Sequence, residues 1–228
     1  MRLQDLNWMD VERYLQTDDR IIVITGATEQ HAYLSLLTDI LIPSRIALAA
    51  VEREPVLIAP ALNFGVSDNF IDYAGTISLS RSAFDLILTE IVESLMQHGF
   101  HRFFILNGHS GNAQPARLHD LHMDNEIRVE WFDWWRGDVI STFESQYNLK
   151  LDLANWGENF PFNRVAESPD EIKPPVNLAL LEGDTNPREV MGDGSFGGAY
   201  QIDDALILTL FDQIVEDVVE RLRALRTL

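Results

Sequence analysis

Ile21-Ile22-Val23-Ile24 is an unbroken run of β-branched side chains. A strand with one wet face shows a polar residue at every second position, and this run shows none, so both of its faces must be covered. That single requirement calls for a layer of structure above and below a sheet. Three more runs read as strands: Val56–Ala59, His101–Leu106 (HRFFIL) and Glu126–Phe132. Between them the apolar period lengthens to that of a helix. Trp8–Gln16 carries apolar Trp8, Val11 and Tyr14 behind Asn7 as N-cap, and Thr38 and Asp39 are placed to cap a helix containing Ile40, Leu41, Ile46 and Leu48. Pro43 is expected within the first turns of that helix, where a missing N–H does no harm. Ser82–His98 is amphipathic and stopped by Gly99, Leu118 and Leu121 mark another helix, and Arg136–Glu144 a further one. From Asp203 onward Ile207, Leu210, Phe211, Ile214, Val218, Leu222 and Leu225 keep a helical period to the end. Strands alternating with helices predict an α/β fold of three layers, a mainly parallel sheet flanked by helices, with residues 1–228 read as one domain.

The 228 residues are 46% hydrophobic, ample for a sheet covered on both faces. Seventeen basic against 36 acidic residues leave a formal charge of -19, which repels nucleic acid and anionic membranes and excludes both as main partners. The absence of cysteine rules out disulfides, thiolate metal sites and a cysteine nucleophile. The opening MRLQDLNWMDVERY has neither the basic start nor the apolar stretch of a signal peptide, and no segment approaches the ~20 apolar residues of a membrane span. A soluble cytoplasmic protein is expected.

In parallel sheets the ligand crevice lies beyond the carboxyl ends of the strands. The first strand runs into Gly26 and then Glu29, His31 and Asp39; the third runs into Asn107-Gly108-His109-Ser110-Gly111-Asn112. Carboxylates and imidazoles from two strand ends are the donors that Zn, Mn or Fe accept. The segment ALNFGVSDNFIDYAGT is a loop long enough to be functional. His98, His101, His119 and His122 sit at turns or on polar helix faces and read as structural or solvated. Gly108-His109-Ser110-Gly111 is no serine-hydrolase elbow, because position 112 is Asn. Gly192-Asp193-Gly194-Ser195-Phe196-Gly197 matches the dinucleotide pattern but follows no apolar strand and puts an acid where a pyrophosphate would lie. Of Trp131, Trp134, Trp135 and Trp156, most are expected in the core, with one a candidate to line a planar substrate. Leu149–Asp193, rich in proline, is expected to lie irregularly over the strand ends.

These segments resemble the creatininase (creatinine amidohydrolase) family. Gly26-Ala27-Thr28-Glu29-Gln30-His31, followed by Leu36, Thr38 and Asp39, is similar to that family's Gly-Ser-Thr-Glu-Gln-His-Gly-Pro-His-Leu-Pro-Leu-Gly-Thr-Asp, and Asn107–Asn112 to its Asn-Gly-His-Gly-Gly-Asn. Gly75-Thr76-Ile77-Ser78-Leu79 and Gly192-Asp193 echo two further segments. The resemblance implies a centre of two divalent ions (Zn, Mn or Fe) that hydrolyses a C–N bond of a small-molecule cyclic amide or formamide, in a homo-oligomer, commonly a hexamer. It implies Glu29 and His109 on one ion, His31 on the other and Asp39 bridging. A further carboxylate comes in the family from His-Ala-Gly-Glu-x-Glu-Thr-Ser, which reads here Asn155-Trp156-Gly157-Glu158-Asn159-Phe160-Pro161-Phe162. Glu158 is then a metal ligand and, with Asn155, a candidate catalytic residue; Trp156, Ser110 and Tyr33 are candidates for substrate contact. Asn155 replaces the family's proton-shuttling His, Phe160 replaces its second Glu, and the first motif is one residue shorter, with Ala32-Tyr33 where the family has Pro-His. The expected function is a metal-dependent amidohydrolase; the alternative is a catalytically degenerate member acting as a binding or structural protein.

Overall fold

A computed structural model of the chain describes residues 1–182 and 186–227. Four strands form one sheet: β1 (Arg20–Thr25), β2 (Leu57–Ile58), β3 (Arg102–Asn107) and β4 (Arg128–Asp133). Their order is β2-β1-β3-β4 and every neighbouring pair is parallel. Helices α1 (Trp8–Leu15), α2 (Thr38–Arg53), α3 (Arg81–Gln97), α4 (Ala116–Met123), α5 (Asp138–Tyr147), α6 (Pro187–Met191) and α7 (Asp204–Thr227) complete the order. Asn7 caps α1 as expected, accepting from the Met9 and Asp10 N–H groups while the Asp10 carboxylate accepts from the Asn7 N–H.

The β-branched run does what its lack of polar positions requires. Ile22 and Ile24 of β1, with Phe104 and Leu106 of β3, face one core with residues of α2, α5 and α7; Ile21, Val23, Phe103 and Ile105 face a second with residues of α1, α3 and α4. Arg20, 1% exposed at the start of β1, is held by Asp18, by Glu54 at the end of α2 and by the Leu222 carbonyl of α7 at 2.6 Å. Three elements are thereby tied to one guanidinium.

Register puts the ends of β1 and β3 side by side, Thr25 opposite Asn107, so that Gly26 and Gly108 follow at the same level. The helix α2 starts directly over this pair. Pro43 stands in the first turns of α2 as expected, but as its sixth residue it lies beyond the positions whose N–H groups lack partners. The proline therefore withholds the N–H that the carbonyl of Asp39, four residues back, would take in a regular helix. Leu149–Asp193 is irregular as expected, with one-turn helices at Trp156–Glu158 and Leu178–Glu182 and the short α6; residues 183–185 of that span lie outside the described residues. Among the described residues no helix is long and apolar enough to cross a membrane.

Candidate metal centre

Glu29, His31, Asp39, His109 and Glu158 converge at the carboxyl edge of β1 and β3, and all are buried. Beyond Gly26 the chain makes a compact loop closed by Glu29 N–H to the Leu36 carbonyl (2.9 Å) and Leu34 N–H to the His31 carbonyl (2.8 Å). Ala32 between them is left-handed, φ 49°. This closure brings Glu29, His31 and Asp39 together despite the loop's shortness, and Asp39 lies in the first turn of α2, where the helix dipole favours a carboxylate.

His109 is fixed by Asn107, whose Oδ1 accepts from the His109 N–H (3.3 Å) and whose Nδ2 donates to the His109 carbonyl (2.8 Å). Asp133 at the end of β4 takes the other Asn107 proton at 2.8 Å. Glu158 closes a turn in which its Oε2 accepts from the Ala154 N–H at 2.6 Å. Asn163 ties that turn to α2, donating to the Glu158 carbonyl (2.8 Å) and the Thr38 hydroxyl (3.2 Å). Asn107 stood inside a noted motif without a role, whereas Asp133 and Asn163 carry no sequence signal, since their work is to bond backbone that only the fold brings near.

The donors fall into two sets, Glu29, Asp39 and His109, and His31, Asp39 and Glu158, each with ligand atoms within 4.8 Å of one another. Asp39 belongs to both: its Oδ1 is 3.0 Å from His31 Nε2 and its Oδ2 is 2.8 Å from His109 Nδ1. His109 Nε2 lies 3.6 Å from Glu29, and His31 Nε2 lies 3.9 Å from Glu158. The imidazole tautomers are set from outside. His31 Nδ1–H donates to the Glu29 carbonyl (3.1 Å), and His109 Nε2–H to the Val66 carbonyl (2.8 Å) with Ser67 Oγ at 3.3 Å. Each ring thus turns its other nitrogen toward Asp39, the nitrogen that would be free to ligate once deprotonated.

These residues fit a metal ion on a further ground. Both carboxylate oxygens of Glu29, Nε2 of His31 and Oδ2 of Asp39 are buried without a hydrogen-bond partner. The His31 and His109 approaches to Asp39 are close, at 3.0 and 2.8 Å, without full hydrogen-bond alignment. Burial raises Glu29 to about 7 against the pull of His109, and Glu158 likewise to about 7 against His31. Burial opposes charge on the imidazoles, but Asp39 outweighs it and raises His31 to about 10 and His109 to about 9. Asp39, although buried, is held at about 2 by the two imidazoles.

Two cavities meet at His109 and Ser110. One, of about 330 Å³, runs past Val66–Phe70; the other, of about 150 Å³, is lined by Asp39, Glu158, Trp135, Asp152 and Phe196 among others. Ser110 is exposed and lines both. The remaining candidates lie as follows. Asn155 is 1% exposed and spends both amide protons on the Lys150 and Gly197 carbonyls while its Oδ1 caps Gly157, so its side chain holds the loop and is not aimed at a substrate. Trp156, also 1% exposed, donates to the Lys150 carbonyl and stacks on Phe143. Tyr33 packs edge-on against Tyr200 and lines neither cavity. The tryptophan at the cavity is Trp135, which sequence reasoning grouped with its neighbours; Asp152 and Phe196 were missed because they lie in irregular segments. The glycine-rich run ending in Gly197 is occupied by its own acid: Asp193 is bound by Lys173 and by the Tyr200 hydroxyl.

A family model described as creatinine amidohydrolase matches residues 4–153. Mycofactocin precursor peptide peptidases are 32% identical over 101 residues in Mycolicibacterium smegmatis, covering 41% of this chain and 40% of that protein, and 34% identical over 108 residues in Mycobacterium tuberculosis H37Rv, covering 42% and 43%. The chain thus spans about two fifths of the length of the curated relatives it matches. Among solved structures, a putative creatinine amidohydrolase from Bacteroides fragilis aligns over 99% of this chain and 96% of that one with a TM-score of 0.79 at 23% identity. A creatininase described with Mn aligns over 99% and 98% at 0.78 and 19%, and a point mutant of creatininase complexed with creatine over 98% and 97% at 0.79 and 18%. The structural likeness carries the fold, the matched model carries the membership, and the chain belongs to the creatinine amidohydrolase family.

Proposed function

We propose that this protein is a metal-dependent hydrolase of amide C–N bonds. The observation that carries the reading is the pair of buried donor sets sharing Asp39, with orphaned ligand atoms, at the meeting point of two cavities. Glu29, Asp39 and His109 would hold one divalent ion and His31, Asp39 and Glu158 the other. Two ions so held supply Lewis-acid activation of water and of the amide carbonyl. The chain's own residues do the rest. Val66 and Glu29 main-chain carbonyls take the far N–H of each imidazole and so fix which nitrogen faces Asp39. Trp135, Leu151, Leu153 and Phe196 wall the smaller cavity against water. Asp152 is the carboxylate of that cavity outside both donor sets; it pairs with Lys150 at 3.1 Å and accepts from the Leu153 N–H, so it would have to leave Lys150 to carry a proton to the leaving nitrogen, a task for which Asn155 has neither a proton of the right acidity nor a free amide.

Cavities on both sides of His109 suit an amide with substituents on both its acyl and its amine side, and relatives named as precursor peptide peptidases support the same choice. A linear amide of the peptide kind is our first substrate class, ahead of a cyclic amide or formamide. The test is protein reconstituted with Mn or Zn, incubated with short peptides, cyclic amides and formamides, and read by mass spectrometry. Peptide cleavage is expected, with Asp152→Asn lowering kcat while both ions stay bound. A fully loaded, folded protein inert across the panel would leave the second reading, a binding protein of this fold, which the structural use of Asn155 favours.

A further inference from the structure

Two glycines and a proline meet at one atom that belongs to neither a strand nor a cavity, the main-chain carbonyl oxygen of Asp39. A Cβ built on Gly26 or on Gly108 would overlap that oxygen, far inside the 3.0 Å that real Cβ contacts respect. The same Cβ on Gly108 would lie 2.8 Å from Pro43 Cγ, and that on Gly26 2.6 Å from Ile40 Cδ1. Both glycines stand directly after paired strand ends, Thr25 opposite Asn107, with Gly108 N–H continuing the ladder to the Thr25 carbonyl at 2.7 Å. Neither has a positive φ, so neither position needs glycine for its backbone conformation. They need it for close approach. Pro43 acts from the other side, since it gives the Asp39 carbonyl no helical N–H and so leaves that peptide free to settle on the sheet rather than align with the axis of α2.

We propose that Gly26, Gly108 and Pro43 are positioning residues for the shared carboxylate: they seat the Asp39 peptide on the ends of β1 and β3, which places its side chain midway between His31 and His109. The consequence is specific. A displacement of Asp39 reaches both donor sets at once, whereas a displacement of any other ligand reaches one. The sheet end thus works as the backstop of the bridging ligand, and a proline that weakens α2 is retained where a regular helix would pull Asp39 off its seat.

This inference rests on the reading of the two donor sets as ion sites, and calorimetric titration with Mn²⁺ or Zn²⁺ separates the two. Wild-type protein taking up no ion would overturn that reading itself. With the wild type binding two ions, Gly26→Ala and Gly108→Ala are expected to weaken both by about tenfold or more, the range typical when the support of a ligand is removed. Ile46→Ala, which cuts the core under α2 away from Asp39, serves as a destabilised control and keeps both affinities. Pro43→Ala covers the case in which the glycine variants do not fold. It restores a helical N–H, is expected to raise Tm by about 5 °C, and still weakens both ions. Unchanged affinity in Pro43→Ala and in any folded glycine variant, loss of only one ion, or equal loss in Ile46→Ala would overturn the inference.

Discussion

Removal of Asp39 is expected to do more to ion binding than removal of any other ligand, and the geometry fixes by how much. Asp39 is common to both donor sets, while Glu29 and His109 belong to one and His31 and Glu158 to the other. Asp39→Asn keeps the shape and removes the charge; Glu29→Gln and His31→Gln each spoil a single set. An ion at a hundred times its Kd stabilises the folded state by about 2.7 kcal/mol. In a chain of this length each kcal/mol moves Tm by about 2–4 °C. Filling both sites should therefore raise the wild-type Tm by about 11–22 °C, filling one should raise the Glu29→Gln or His31→Gln variant by about 5–11 °C, and Asp39→Asn should hardly respond. Differential scanning fluorimetry against Mn²⁺ or Zn²⁺ gives the shifts, and elemental analysis gives the matching contents of two, one and none. Asp39→Asn retaining a full thermal shift would refute the shared ligand, and a Glu29→Gln variant losing both ions would refute the division into two sets.

Further outcomes follow from the same structure. His31 and His109 at about 10 and about 9 hold protons at pH 7, and Glu29 and Glu158, at about 7, hold them in part, whereas the ligating forms are unprotonated. Ion uptake should release protons and tighten as pH rises from 6 toward 9; calorimetry in buffers of different ionisation heat measures the release, and a pH-independent affinity would contradict it. Phe160, 0% exposed between Trp134, Phe162 and Phe211, is core and not a degraded acid, so Phe160→Ala should cost about 3–5 kcal/mol, a fall in Tm of about 6–20 °C, with both ions still bound. Arg20→Met takes from the partly buried Asp18 and Glu54 their shared partner, leaving Glu54 with Arg223 at 3.6 Å, and should cost about 1–3 kcal/mol in chemical denaturation. Adding Asp18→Asn and Glu54→Gln should restore much of that loss, and no recovery would place the cost in packing instead.

The layers of the fold were legible because they follow from short-range patterns. Ile21–Ile24 and HRFFIL carry no polar position and could only be doubly covered strands, and the amphipathic periods around them named the covering helices. Boundaries moved by a residue or two, as at β4, where strand geometry continues to Asp133 beyond the apolar run. Glu29, His31 and His109 drew notice through Glu29-Gln30-His31 and Asn107–Asn112, which sit at strand ends, whereas Glu158 entered only through the family resemblance. What failed were the residues whose role depends on distant backbone. Asn155 looked available because its chemistry is polar; only the fold shows the Lys150 and Gly197 carbonyls that take both its protons. Pro43 was expected in the first turns of α2 and stands there as its sixth residue, but too deep for its missing N–H to go unfelt. Trp135 and Trp134 are adjacent and indistinguishable in sequence, yet one lines the cavity and the other is 1% exposed in the core.

The choice between an enzyme and a degenerate relative turns on energetics more than on the absent histidine. Glu29, Asp39 and Glu158 are at most 8% exposed and lie around two imidazoles. Buried ionisable groups of this kind destabilise a fold unless they are paired and hydrogen-bonded, and apolar replacements of similar volume are often neutral or stabilising. Here the pairing is incomplete, since Glu29 has no hydrogen-bond partner on either oxygen and the imidazole approaches to Asp39 are not fully aligned. Nothing in the packing of β1, β3 or α2 requires acids at these points, and one hydrophobic core already reaches this edge through Trp156 and Phe160 on either side of Glu158. A binding protein with no use for cations would be more stable with the cluster filled by leucine and phenylalanine. The unpaired donor cluster therefore favours the proposed hydrolase over the degenerate reading.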